Sequence, residues 1–328
     1  MARQWAWHAP NGTTGEYTAG RVMGQINWPI GVDQIFSFTG DESYLAAQMP
    51  LVDASFEFVY EHADGDGLVT LIAKGNGTMG GGADWVDWYT TRLDGRSFQF
   101  HMWYYHALLR FASLHDEFAA STSDPAFSAD TAEAYRSRAD ALLNTLREQY
   151  WTGDHWTASV DYDDEGTWMD DQLWSVFHSI SDSEQVASIW ENIDRNLSFY
   201  EGVPTRWTEF ETTHGPMTWF GRLGAGDIMS RYRTSGQERR AMELLQTIGR
   251  TIKASSNIYE SWDMDGGYDG GWEPIMSLEM SLEFQTLNII FGIQKRKADP
   301  IFFACKFHLT ASTVPVISSV KCQSNYSL

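Results

Sequence analysis

Lysine is scarce in this sequence, and the six lysines that occur are unevenly placed. Only Lys74 and Lys253 precede residue 294, while 44 acidic residues face 23 basic ones, giving a formal net charge of −21. Such a surface repels nucleic acid and anionic membranes, so neither is an expected partner. Because salt screens repulsion among carboxylates, an acidic and lysine-poor surface favours a protein adapted to high salt. An ordinary acidic enzyme is the alternative.

Cysteine and long apolar runs are equally scarce. Cys305 and Cys322 both lie close to the C-terminus, so the main body has no disulfide framework. No stretch reaches the roughly 18 apolar residues of a membrane helix, and the first residues lack the apolar core of a signal peptide. We therefore expect a cytoplasmic protein. The sequence gives no indication of its oligomeric state.

Motifs for metals and common cofactors are missing as well. The nine histidines include no pair at zinc-ligand spacing. No glycine-rich phosphate loop precedes a suitable helix, and no Gly-x-Ser-x-Gly elbow occurs. We expect neither a metal nor a cofactor.

Aromatic residues, by contrast, are abundant. Fifteen tryptophans and an aromatic content of 14% exceed what packing alone usually requires. Carbohydrate-binding clefts use such rings, because indole faces pack against the C–H groups of sugars. The alternative is simply a large core.

Apolar residues recur at helical spacing along most of the chain and almost nowhere alternate with polar ones. The pattern predicts helices over residues 21–38, 42–62, 98–119, 128–150, 169–179, 183–196, 216–234, 237–253 and 274–291. Short turns pair them into four hairpins plus one helix, and the longer loops are rich in Trp, Asp, Glu or Gly. This arrangement predicts a toroid of helical hairpins whose long loops gather at one end as a binding face. Residues 1–293 would form this domain, and 294–328 an atypical tail without assigned function.

Residues 80–88, in one of the long loops, combine glycines with aspartates and tryptophans. Three glycines are followed by Asp84, Trp85, Asp87 and Trp88. An acid pair beside flat rings is typical of sugar-processing sites, where a carboxyl group moves a proton while rings stack on the sugar. A glycine loop leading into a helix capped by Asp84 is the alternative.

The stretch Gly82-Ala83-Asp84-Trp85-Val86-Asp87-Trp88 and the aromatic helix after it resemble the "GDW" loop and next helix of six-hairpin glycosidases, most closely those of the alpha-L-rhamnosidase type. Further stretches agree in order: Phe38-Thr39-Gly40-Asp41 before Tyr44-Leu45, the paired helices within 215–252, Tyr259-Glu260-Ser261-Trp262-Asp263, and Phe291-Gly292-Ile293. The resemblance covers residues 20–293. It implies an all-α (α/α)6 six-hairpin toroid. Members of this kind have hairpins before the counterpart of Arg21, which indicates a toroid incomplete at its N-terminus.

The resemblance also implies an activity, the hydrolysis of a glycosidic bond in an oligo- or polysaccharide with inversion. The general base of such enzymes maps onto Glu260. Inversion places the two carboxyl groups about 6.5–9.5 Å apart, so Asp84 and Asp87 cannot form the whole pair. Either of them could be the acid, since packing against Trp85 or Trp88 favours a protonated carboxyl group. Either could instead bind sugar hydroxyl groups.

Other candidates are substrate-binding residues. Trp28 and Asp33, in the first hairpin, could complete a subsite, although a core position is the favoured interpretation of Trp28. Glu209 lies on a long loop and is also a reserve base, and Trp262 follows Glu260. Asp170 and Asp171 begin a helix, and we interpret them as charges that favour its dipole.

Two alternatives remain open. A sugar epimerase or polysaccharide lyase on the same toroid would need a His or Tyr base, and His101 with Tyr104 or Tyr105 is the cluster that could serve. A non-catalytic carbohydrate-binding fragment is the other, because the front hairpins are missing.

Overall fold

The structure of the protein is a computed structural model. It describes residues 24–70, 95–161, 167–200, 203–204, 219–255, 261–262, 306–309 and 317–321. All statements below on contacts, burial and secondary structure refer to these parts of the chain.

Eight α-helices make up most of the described residues. They are α1 (Gly24–Thr39), α2 (Glu42–Glu61), α3 (Phe98–Ser121), α4 (Ala129–Gln149), α5 (Met169–Phe177), α6 (Ser183–Asn192), α7 (Gly221–Arg233) and α8 (Glu238–Ser255). A π-helical turn, Ile193–Leu197, extends α6. Short strands pair antiparallel two by two: β1 (Ser198–Tyr200) with β2 (Val203–Pro204), β3 (Trp219–Phe220) with β4 (Ser261–Trp262), and β5 (Lys306–Leu309) with β6 (Ile317–Lys321).

Short polar residues determine where several helices begin. A side-chain oxygen of an N-cap residue accepts a hydrogen bond from a backbone N–H of the first turn in α2, α3, α4 and α6, whose caps are Asp41, Ser97, Ser128 and Asp182. Gly40, with φ of +64°, permits the two-residue turn between α1 and α2. The turns that the sequence predicted are therefore set by local chemistry.

The helices form an inner and an outer layer. In α5, eight of nine residues are buried, so this helix is covered on all sides. In α4, burial is confined to one stripe of residues at helical spacing, Ala132, Tyr135, Ala139, Leu142 and Leu146. The short connections 40–41, 122–128, 178–182 and 234–237 join α1 to α2, α3 to α4, α5 to α6, and α7 to α8. Within each hairpin the odd-numbered helix lies inside and the even-numbered helix outside.

The inner helices run in the same direction. Trp103 and His106 of α3 contact Trp174 and His178 of α5 in the same sequence order. The same holds for α1 with α3 and for α5 with α7, through the pairs Asp33–Arg110, Phe36–Phe118, Leu173–Ser230 and Phe177–Arg233. Four parallel inner helices with antiparallel outer partners are the arrangement of an α/α toroid.

A partly buried polar network joins three helices of the first two hairpins. The Tyr135 hydroxyl donates to Asp53 Oδ1 over 2.6 Å, and His115 Nε2 lies 3.0 Å from the same oxygen. The backbone N–H of Ser128 donates to His115 Nδ1, so the proton of this imidazole is on Nε2 and points to Asp53. This network fixes α4 against α2 and α3.

A buried arginine holds the π-helical turn against α7. Arg231 is fully buried and pairs with Asp227 Oδ1 at 2.7 Å and with Asp194 Oδ1 at 2.6 Å. Its guanidinium group lies 4.3 Å from the Trp190 ring centroid. The second oxygen of Asp227 has no hydrogen-bond partner among the described residues. Burial raises the pKa of the Asp227 carboxyl group, an effect that Arg231 opposes.

The predicted all-α hairpin arrangement is confirmed, with differences at the helix ends. The helix expected over 183–196 divides into α6 and the π-helical turn, and the helix expected from residue 216 begins at Gly221. The helix predicted over 274–291 lies outside the described residues. In the tail, β5 and β6 form a small antiparallel pair.

Candidate functional site

The described ends of three long connections lie at one end of the inner layer. Residues 62–97, 150–168 and 198–220 each lead from the end of one hairpin to the first turn of α3, α5 or α7. Because these inner helices are parallel, their N-terminal ends lie side by side. The N-terminal end of the inner layer is therefore the candidate site, as the sequence predicted for its long loops.

Both ends of segment 71–94, which contains Asp84 and Asp87, are attached close to the start of α3. On one side, the Val69 N–H donates to His101 Nε2 over 2.8 Å. On the other, Arg96 donates to Asp161 from its backbone N–H and its guanidinium group over 2.6 and 2.5 Å. The segment thus leaves and rejoins the described structure at the candidate end.

Gly95 permits this attachment. Its φ of +96° is unfavourable for residues with a side chain, and a Cβ atom there would lie 2.7 Å from Asp161 Oδ2. The Tyr150 hydroxyl donates to the carbonyl oxygen of Arg96 over 3.0 Å. The loop before α3 is therefore joined to the loop before α5.

His101 has a structural position. It is fully buried, its Nδ1 donates to the Ser97 carbonyl oxygen over 2.5 Å, and its Nε2 accepts from Val69. Burial lowers the pKa of His101 to about 4, which keeps the imidazole neutral. Since both ring nitrogens are occupied and out of reach of a ligand, His101 cannot serve as the base of an epimerase or lyase. The sequence left this role open, and the geometry argues against it.

Two facing stripes of side chains line the contact between α3 and α5, starting at the candidate end. On α3 the stripe follows helical spacing through Gln99, Trp103, His106 and Arg110. The other stripe consists of Asp170 and Trp174 of α5 and His178, the residue directly after α5. The Trp103 and Trp174 rings lie 5.3 Å apart, and Trp103 also meets the His178 ring at 4.4 Å. We call these seven residues the α3–α5 seam.

Deeper in the seam, two imidazoles pack on one another. The rings of His106 and His178 are 4.2 Å apart. Burial lowers the pKa of His106 to about 4 and that of His178 well below its usual value. Arg233 lowers both pKa values further, and Arg110 lowers that of His106. At neutral pH both rings are therefore uncharged.

Asp170 and Asp171 lie in the first turn of α5, where the sequence placed them, and only 5% and 4% of their surfaces are exposed. The Trp174 indole N–H donates to Asp170 Oδ1 over 3.3 Å. The sequence interpretation, charges that favour the helix dipole, did not address their burial. The large apolar residues on both sides of the pair are a signal of a helix buried all round.

The other predicted site residues lie in the core, in an ion pair, in a strand or outside the described residues. Trp28 is buried in the core, and Asp33 Oδ1 pairs with the Arg110 guanidinium group at 2.7 Å. The backbone of Trp262 pairs with Trp219 in the β3–β4 ladder. The remaining residues, Asp84, Trp85, Asp87, Trp88, Glu209 and Glu260, lie outside the described residues.

Comparison with solved structures shows the fold. The chain superposes on a GH78 family rhamnosidase of Bacillus sp. GL1 with a TM-score of 0.54 and 16% identity, over 74% of this chain and 23% of that one. It superposes on a rhamnosidase from Klebsiella oxytoca with a TM-score of 0.57 and 14% identity, over 83% and 46%. For neutral trehalase from Saccharomyces cerevisiae the values are 0.52 and 12%, over 83% and 62%.

The chain therefore has the all-α toroid fold that these three proteins share, which is the fold that the sequence resemblance implied. It spans less than two thirds of the length of each of these three proteins. No protein-family profile and no curated protein sequence matches it.

In the described parts of the chain, no helix is long and apolar enough to cross a membrane. No group of three or more His, Cys, Asp or Glu side chains there could hold a metal ion.

Proposed function

We propose that this protein is a glycoside hydrolase that cleaves a glycosidic bond in an oligo- or polysaccharide. The observation that carries the proposal is that the described ends of three long connections meet the N-terminal ends of the parallel inner helices α3, α5 and α7. That end carries buried carboxylates and indoles in the described structure. Three proteins named as rhamnosidases or trehalase share the fold, which supports this reaction class.

The proposed mechanism is inversion with one acid and one base. Glu260 is the proposed base and withdraws a proton from the attacking water. Asp84 or Asp87 is the proposed acid and protonates the leaving oxygen. Inversion needs the two carboxyl groups about 6.5–9.5 Å apart, which requires different loops. In support, Val69, just before segment 71–94, is hydrogen-bonded to His101 at the start of α3, and Ser261 and Trp262, just after Glu260 in sequence, pair with the strand just before α7.

Binding of the sugar completes the proposal. Trp85, Trp88 and Trp262 would supply stacking faces, and Glu209 would bind hydroxyl groups or replace Glu260 as base. Of the two remaining predicted residues, Trp28 belongs to the core and Asp33 is paired with Arg110, so both would act through packing of α1 on α3.

The role of Glu260 as the base is tested by measuring the hydrolysis of a panel of neutral aryl glycosides. Removing a general base slows a reaction by about 10²–10⁴-fold. Glu260→Gln should therefore lower kcat/KM by that factor, whereas Glu133→Gln, an exposed glutamate of α4, should leave it unchanged. Equal activity of wild type and Glu260→Gln would refute the role of Glu260.

The acid is tested by the leaving group. A poor leaving group needs protonation and a good one does not, so the loss in the acid variant should shrink as the leaving group improves. We expect this dependence in either Asp84→Asn or Asp87→Asn and in only one of them. A similar loss for every leaving group in both variants would assign both aspartates to sugar binding.

A further inference from the structure

One arginine side chain lies beside two carboxylates at the candidate end. Arg96 Nε and Nη2 donate to Asp161 Oδ1 over 2.9 and 2.5 Å, and the Arg96 backbone N–H donates to Asp161 Oδ2 over 2.6 Å. The remaining nitrogen, Nη1, lies 3.8 Å from Asp64 Oδ2. The guanidinium group therefore binds Asp161 along one edge and faces Asp64 with its other terminal nitrogen, which requires the planar fork of an arginine.

These three residues belong to two long connections. Asp64 and Arg96 lie in the connection from α2 to α3, and they flank the stretch of sequence that contains Asp84 and Asp87. Asp161 lies in the connection from α4 to α5. One side chain thus links both flanks of the first connection and joins them to the second.

Each flank is also fixed by hydrogen bonds of its own. Asp64 Oδ1 accepts from two backbone N–H groups of the turn after α2, over 2.9 and 3.0 Å. On the other flank, the Phe98 N–H donates to the Ala158 carbonyl oxygen over 2.8 Å. Because each flank is fixed locally, the contacts of Arg96 hold one flank against the other.

These contacts affect local placement more than overall stability. Between 27% and 40% of the surface of each of the three side chains is exposed, and ion pairs at such exposure contribute little to the free energy of unfolding. The hydrogen bond from the Arg96 side chain lowers the pKa of Asp161, so this carboxyl group is ionised at neutral pH. Without Arg96, Asp64 and Asp161 would lose the cation that they share and would repel one another.

We propose that Arg96 is a positioning residue for the reaction. It holds the two flanks of the α2–α3 connection at a fixed spacing beside the start of α3, and it acts through the acid of that connection, Asp84 or Asp87. Misplacing a reacting group by about 1 Å can slow an enzyme by about 10²-fold, so a contact with little effect on stability can strongly affect the rate. The inference rests on the proposed function, because it assigns a role within that reaction.

The first test needs no activity and measures hydrogen–deuterium exchange of the full chain by mass spectrometry. Arg96→Ala removes the guanidinium group and keeps the backbone hydrogen bond to Asp161. Exchange at residues 64–69 and 95–98 should become about 2–5-fold faster, the change that loss of a partly exposed ion pair produces in a local opening equilibrium. Unchanged exchange at these residues would overturn the inference.

The matched control is an arginine–aspartate pair at the other end of α3. Arg136 of α4 pairs with Asp116 of α3, and both side chains are partly exposed. Arg136→Ala should leave exchange at residues 64–69 and 95–98 as it is in the wild type. The two variants should have similar melting temperatures, because both lose an ion pair of the same kind.

The second test is kinetic and uses the aryl glycosides. Arg96→Ala should lower kcat by at least about 10-fold and change KM less, whereas Arg136→Ala should keep the wild-type kcat. Arg96→Lys should recover part of the loss, since an ammonium group keeps the charge but not the two-sided contact. The loss in Arg96→Ala should shrink as the leaving group improves, because Arg96 acts through the acid.

The outcomes separate this inference from the proposed function. If the wild type hydrolyses glycosides and Arg96→Ala has the kcat of Arg136→Ala, the positioning role is overturned and the hydrolase stands. A loss in Arg96→Ala that is equal for every leaving group also overturns that role. If the wild type hydrolyses no glycoside but exchange becomes faster at both flanks in Arg96→Ala alone, the hydrolase is overturned and the link between the flanks stands.

Discussion

Lowering the pH from 7 to 5 should destabilise this protein through histidines rather than carboxylates. His101 and His106 have pKa values lowered from 6.5 to about 4 by burial, and the pKa of His178 is lowered as well. Between pH 6.5 and 4 these histidines bind protons in the unfolded chain but stay neutral in the folded protein. Stability is therefore fully present above the unfolded pKa and is lost as the pH falls.

The size of the effect follows from the lowered pKa values of His101 and His106. One pKa unit corresponds to about 1.4 kcal/mol, so each shift is worth about 3.4 kcal/mol in full. About 2 kcal/mol of this is lost between pH 7 and 5 for each histidine, and about 4 kcal/mol for His101 and His106 together. A domain of this size has about 5–15 kcal/mol of stability, so the loss is a large fraction of the total.

The surroundings of the stacked pair explain why protonation is unfavourable there. Arg110 and Arg233 oppose a charge on His106, and Arg233 opposes one on His178. Asp33 is the carboxylate that favours the charged form of His106, but its oxygen is already paired with Arg110. A proton on either ring would therefore place an uncompensated charge between α3 and α5.

The assay is urea denaturation at pH 7, 6 and 5, followed by tryptophan fluorescence. In His106→Phe, which keeps the ring packing, the loss between pH 7 and 5 should be smaller than in wild type by about 2 kcal/mol. His62→Phe, which changes an exposed histidine of the loop after α2, is the control and should keep the wild-type loss. An identical pH dependence in wild type and His106→Phe would refute the reasoning.

Three substitutions test the packing that surrounds the site. Arg231→Met should lower the free energy of unfolding by about 3–5 kcal/mol in urea denaturation, because it leaves Asp227 buried without its cation, and the double variant with Asp227→Leu should recover stability. A larger loss in the double variant would contradict this. Asp53→Ala should lower that free energy by about 1–3 kcal/mol, since it removes the acceptor of the Tyr135 hydroxyl, and Tyr135→Phe in the Asp53→Ala background should add almost nothing. Additive losses would argue against a shared hydrogen bond. Gly95→Ala should lower the melting temperature because of its positive φ and its close approach to a carboxylate, whereas Gly249→Ala, at an open helical position, should not. Equal melting temperatures would contradict the strained position of residue 95.

Helices were predictable because their signal is local. The stripe of α4 and the caps at Asp41 and Ser97 are visible in a few neighbouring residues, and the structure has these helices within two residues of their expected ends. The π-helical turn at Ile193 was not predictable, because apolar spacing does not distinguish it from a last turn of α-helix. Its stability depends on Arg231, which comes from another helix.

The candidate site was less predictable for the same reason. The His106–His178 contact joins residues that are far apart in the sequence, so no local sequence pattern predicts it. The sequence resemblance predicted catalytic roles for Asp84, Asp87 and Glu260, and these roles stay predictions. The structure adds the seam, which composition and periodicity alone could not assign.

The central claim is hydrolysis with inversion, and the stereochemistry of the first product tests it most directly. Proton NMR of a turning-over sample resolves the anomeric signal of the released sugar before it mutarotates. From an aryl glycoside that the protein cleaves, the account predicts that the first sugar to appear has the anomeric configuration opposite to that of the substrate, and that this signal is lost in Glu260→Gln. A first product of retained configuration, or a signal unchanged in Glu260→Gln, would contradict it.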